Sequence, residues 1–128
     1  MPEHEMPDPV VDTANVTELA RDLVVIPNRR VGLVPNIGII GGTESVLVVD
    51  TGMGPRNAST VLAFAADYAA GRRLYLTTTH FHPEHAFGAQ VFTEDATHLI
   101  NKAQAQDLAG KGLAYLGDCP RVQLTPCL

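Results

Sequence analysis

Two stretches, Val46-Leu47-Val48-Val49-Asp50-Thr51-Gly52 and Thr79-His80-Phe81-His82-Pro83-Glu84-His85, decide how this chain folds. The first is a β-branched apolar run that ends in a turn-forming Asp-Thr-Gly, which predicts a buried strand over Ser45 to Asp50. Between the two stretches, Val61, Phe64, Ala65 and Tyr68 recur at helical spacing within Asn57 to Ala70, and Gly71 stands where a helix would end. Leu74 to Thr79 then predicts a second strand. A strand–helix–strand crossover is right-handed in nearly all cases, so the two strands lie parallel and finish on one sheet edge. Asp50 and His80 should therefore emerge side by side.

Working upstream, Leu23 to Ile26, Val31 to Val34 and Asn36 to Ile40 are short β-branched runs separated by Pro27-Asn28 and Gly41-Gly42 turns, an antiparallel meander. Residues 1–20 are an acidic, Pro-rich tail and lead-in. Its composition cannot bury enough apolar surface to offset ordering, and His4 within it reads as a solvated side chain. Downstream, Glu84 to Ala89 suggests a short helix, Val91-Phe92 a strand fragment, and Asp95 to Gly110 one or two helices, with His98 on a helix in a surface or half-buried role. Arg121 to Leu128 has one short strand-like run.

The 128 residues carry 9 Lys plus Arg against 14 Asp plus Glu, a net charge of −5, and 45% are hydrophobic. A single domain of this size can bury about two-thirds of its unfolded surface without disulfides. Scattered basic residues under net negative charge leave no footprint for a nucleic-acid backbone. No apolar run is long enough to span a bilayer, and the N-terminus lacks the basic-then-apolar order of a signal peptide, so the expected location is cytoplasmic, without membrane contact. Cys119 and Cys127 match no zinc spacing and read as free thiols. Gly52-x-Gly54 lacks the Lys of a phosphate loop and is a plain turn. Arg29-Arg30 and Arg72-Arg73 read as solvated strand ends.

Three of the five histidines fall within His80 to His85. In extended chain, side chains two apart share a side, so His80 and His82 can converge on one ion while Phe81 points into the core. Pro83 favours the first turn of a helix, which would return Glu84 and His85 to the histidine pair. Imidazole with carboxylate suits zinc, and also iron or manganese, in one or two ions. The plainer reading is a set of solvated loop histidines. A bound cation would lower the pKa of its water to about 7, and Glu84 could orient that water or take its proton.

The stretch Thr79 to His85 resembles the His-x-His-x-Asp-His signature of the metallo-β-lactamase superfamily, and Val46 to Gly52 resembles that superfamily's strand ending in Asp-Thr-Gly. The likeness runs from about Leu23 to Gly112. It implies an α/β, αββα sandwich of which this chain covers roughly the N-terminal half, with 21–128 as a partial domain. Carried over, His80 and His82 ligate a first metal, Glu84 and His85 belong to a second, and Asp50 orients a ligand or loop by hydrogen bonding. Glu84 stands where the family has Asp. The further metal ligands of the family's later half have no counterpart here. The implied function is a metal-dependent hydrolase using a metal-bound hydroxide on a small-molecule ester, thioester, lactone or lactam. The other reading is a truncated, non-catalytic metal-binding module that self-associates. Half a sandwich leaves one sheet face bare, so either a homo-oligomer or a missing C-terminal half is expected to cover it.

Overall fold

The computed structural model describes the backbone of residues 10–118 and side chains through residue 111. The stretch before Val10, His4 in it, Cys119, Cys127 and the run over 121–128 lie outside the described residues. Six strands form one sheet in which spatial order is chain order: β1 (Thr17–Ala20), β2 (Leu23–Ile26), β3 (Ile37–Gly41), β4 (Ser45–Val49), β5 (Arg73–Thr77) and β6 (Ala96–Leu99). Strands β1 to β4 are the expected antiparallel meander, and β4, β5 and β6 run parallel. Helix α1 (Gly54–Ala69) is the crossover, α2 (Pro83–Ala86) follows β5, and α3 (Lys102–Asp118) follows β6.

Period-two alternation puts Ile26, Ile39, Val48 and Leu76 on one face, all buried, against Ala58, Val61 and Ala65 of α1 and Phe92. Burial of each such aliphatic side chain contributes about 1.5–3 kcal/mol. The opposite face, with Leu23, Val25, Leu47 and Val49, lies outside this core, and Ile40 on it is 43% exposed. The Gly42 N–H donates to the Ser45 carbonyl at 2.7 Å, closing the β3–β4 turn at the predicted glycines. No helix of the described residues is long and apolar enough to cross a membrane.

Several expectations need correction. Val31 to Val34 is a loop, not a strand: Val31 N–H donates to the Asn28 carbonyl (3.1 Å), Val34 N–H donates to the Val31 carbonyl (3.2 Å), and Arg29, Arg30 and Leu33 have positive φ. Pro27 and Pro35 bracket the loop and remove donors that a ladder needs. Asp95 to Gly110 is not wholly helical, because Ala96–Leu99 pairs with β5 as β6, so His98 sits on a strand. Val91 and Phe92 belong to a 3-10 turn (Ala89–Phe92). Strand β5 stops at Thr77, so His80 and His82 occupy a bend rather than extended chain. Phe81 is half-buried, edge-on to the His82 ring, and does not enter the core. Strand β1 had no recognised signal; all four of its residues are exposed.

Candidate metal centre

Strands β4 and β5 end together, and the Asp50 N–H donates to the Thr77 carbonyl at 2.9 Å. Asp50 then takes a left-handed backbone, φ 73°, which Asp tolerates better than most residues. Gly52 follows at φ 78°, where a Cβ would lie 2.8 Å from Asn57 Cβ, so only glycine fits. This tight reversal points the Asp50 carboxylate toward the segment after β5. Its Oδ1 accepts from the Thr79 N–H at 2.8 Å, and the Thr79 hydroxyl lies 3.1 Å from each carboxylate oxygen. His85 Nδ1 lies 2.7 Å from Oδ2. Beside it, Thr51 N–H donates to the His85 carbonyl (3.0 Å), and the Thr51 hydroxyl accepts from Gly88 N–H (3.1 Å). Asp-Thr-Gly thus clamps the turn that carries the histidines at both ends.

The hydrogen-bond network assigns the ring tautomers. A carboxylate only accepts, so the His85 Nδ1 carries a proton, and in the neutral ring the lone pair lies on Nε2. The Thr79 hydroxyl has one proton, committed to Asp50, so it accepts from His80 Nδ1–H at 2.8 Å. His80 therefore also keeps its lone pair on Nε2. A ligating histidine with its other ring nitrogen tied to an orienting group has this form. The ring centres of His80 and His82 are 4.6 Å apart, and those of His80 and His85 are 4.1 Å apart. Burial first, then the neighbouring His85 and His82 rings, hold the His80 pKa below the ordinary imidazole value, against the pull of Asp50 and Glu84. The neutral ring is the metal-binding form.

Of the residues singled out in the sequence, His80, His82 and Glu84 come together, each with a donor atom within 4.8 Å of the others. His85 stands beside them, its Nε2 3.7 Å from Glu84 Oε1. In the neutral ring a cation between them would meet the Nε2 lone pair and a carboxylate oxygen. Asp50 lies behind, 3% exposed, bonded to His85. His98 is outside the cluster, behind Thr78. Thr79, the hub between Asp50 and His80, was not singled out; its signal was the position directly before the histidine motif.

The family model for the metallo-beta-lactamase superfamily matches residues 30–114. The acyl-coenzyme A thioesterase MBLAC2 of Gallus gallus is 37% identical over 73 residues, which are 53% of this chain and 26% of that protein. The metallo-beta-lactamase from Hirschia baltica superposes with a TM-score of 0.62 at 15% identity, covering 77% of this chain and 48% of its own. FIM-1 from Pseudomonas aeruginosa, in its mono-zinc form, gives 0.62 at 14% identity, with 77% of this chain and 46% of its own covered. The chain therefore spans about a quarter of the curated relative and just under half of these solved structures. The match takes in most of the sequence and the fold is shared with solved members, and on these grounds the chain belongs to the metallo-beta-lactamase superfamily.

Proposed function

We propose that this chain carries the metal-binding part of a hydrolase that cleaves a thioester, with His80, His82 and Glu84 holding a zinc-class cation and His85 able to join them. The observation that carries the reading is the meeting of three donor atoms of the right kinds within 4.8 Å, with the His80 and His85 tautomers already set for ligation. Two imidazoles and a carboxylate suit zinc, iron or manganese. When bound, such a cation supplies Lewis-acid activation of water and of the substrate carbonyl. Thr79 and Asp50 keep the rings aimed, and Glu84 is placed to orient a water or receive its proton. The thioester class is supported by the thioesterase relative, and lactam by the lactamase neighbours; the relative has the higher identity.

A second reading, a non-catalytic metal-binding module that self-associates, draws on the apolar face with Ile40 at 43% exposure. The experiment is zinc content per chain after dialysis against trace zinc, for wild type and for His80→Ala/His82→Ala, followed by thioester hydrolysis with both. Near-stoichiometric zinc that the double variant loses, with turnover that goes with it, supports the hydrolase. Zinc without turnover favours the module, and no zinc in the wild type overturns both.

A further inference from the structure

We propose that Gln104, on α3, is a positioning residue for the metal centre, acting through the Thr78–Thr79 peptide. Gln104 and Thr78 are among the few buried polar residues, at 7% and 4% exposure, and nothing in the site described above uses Gln104. Its side-chain amide engages Thr78 twice. Gln104 Nε2 donates to the Thr78 carbonyl at 2.7 Å, and the Thr78 hydroxyl donates to Gln104 Oε1. The Thr78 carbonyl and the Thr79 N–H belong to one peptide group. That group is held at its oxygen by Gln104 and at its nitrogen by Asp50, at 2.8 Å. A planar peptide gripped on both edges cannot rotate without breaking one of the two bonds. The next residue is His80.

Two further contacts support this brace. His98 Nε2 lies 3.3 Å from the Thr78 hydroxyl, which already donates to Gln104, so His98 is the donor and β6 adds a third side to the grip. The Asn101 side chain accepts from the Gln104 N–H at 2.8 Å, fixing the first turn of α3. Two helical turns beyond Gln104, on the same face, Lys111 Nζ lies 5.7 Å from the centre of the Phe81 ring, between His80 and His82. Helix α3 therefore meets the histidine turn at two points. A coordination shell tolerates about 0.2 Å, so a rotated Thr78–Thr79 peptide would spoil it.

The inference rests on reading His80, His82 and Glu84 as a metal site, and the test separates the two. Wild type, Gln104→Leu, Thr78→Val and Thr78→Ser are compared by zinc competition, by the visible spectrum of the cobalt(II) form, and by hydrogen exchange of the Thr79 amide in metal-free protein. Gln104→Leu and Thr78→Val should weaken zinc binding about 10–100-fold. They should also alter the cobalt spectrum and speed Thr79 exchange at least about tenfold, by loss of the local bond. Thr78→Ser, which keeps the hydroxyl, should restore all three. Zinc affinity within about twofold of wild type in folded Gln104→Leu overturns the proposal, whatever the exchange rate. If Gln104→Leu does not fold, the Val and Ser variants at Thr78 decide by the same criteria. If the wild type binds neither metal, the site reading fails and the positioning role with it; if the wild type binds and the folded variants bind equally well, the positioning role alone fails.

Discussion

Asp50→Asn isolates the charge of the carboxylate from its shape. Asn accepts the left-handed φ of 73° as readily as Asp, so no backbone strain enters. Its Oδ1 can still accept from the Thr79 N–H, now at 2.8 Å, which preserves the grip on that peptide. The loss is at Oδ2, where His85 Nδ1 stands at 2.7 Å. An amide nitrogen there must donate, so His85 either loses its partner or shifts its proton to Nε2, the atom that faces Glu84. A hydrogen bond to a charged group contributes about 1.5–3 kcal/mol, and that is the expected loss in urea-unfolding free energy for metal-free protein. Zinc affinity measured against a chelator should fall about 10–100-fold, because His85 would present a proton where a lone pair is needed. Asp50→Ala should cost more. It removes the acceptor of the Thr79 N–H along with that of His85, and adds the left-handed penalty of about 1–2 kcal/mol for a residue with a plain Cβ. An Asn variant within about 0.5 kcal/mol of wild type and with unchanged zinc affinity would refute the reasoning.

Burial holds the His98 pKa below the ordinary imidazole value of 6.5, so the native state resists protonation there while the unfolded chain does not. Stability should accordingly fall as pH drops from 6.5 to the lower folded-state value and level off beneath it, and His98→Gln should flatten that part of a urea-midpoint series against pH. At Gly88 a Cβ would lie 2.4 Å from Ala58 Cβ and 2.9 Å from Thr51 Oγ1, so Gly88→Ala should lower stability by about 1–3 kcal/mol on chemical denaturation. Fully buried Leu76 changed to Ala should cost about 2–5 kcal/mol, while Leu99→Ala, at a site 50% exposed, should stay near about 0.5 kcal/mol; equal losses would mean that the core is misplaced. The bare apolar face predicts a dimer or larger species by light scattering, reduced by Ile40→Lys; a monodisperse wild-type monomer removes that expectation.

What could be read from sequence was local. The β4 run, the helical spacing of Val61, Ala65 and their neighbours, and the placing of Asp50 beside the histidine turn all follow from period and chirality. The misreadings were of segments whose state is set by distant partners. Ala96–Leu99 lies beside a helix-forming stretch, and only pairing with β5 makes it a strand. Val31 to Val34 has β-branched residues but no neighbour to pair with, and its flanking prolines carry more weight than its propensity. Gln104 meets Thr78 across 26 positions of chain, with no motif around either to announce it. The bend after Thr77 still brings His80 and His82 together, although the extended geometry expected for them is absent.

Because each strand of the sheet lies next to the one before it in the chain, no strand has to be threaded between two already in place. The chain can add strands at a single growing edge in the order it is synthesised, and the meander of β1 to β4 closes only short loops before the longer crossover through α1 is required. Asp50 precedes β5 in the chain, and the Thr79 and His85 groups that its carboxylate meets follow β5. In chain order the histidine turn therefore follows the meander and precedes β6 and α3. Once β5 has docked, the Asp50 N–H already meets the Thr77 carbonyl, and its carboxylate gains its partners only when Thr79 and His85 follow.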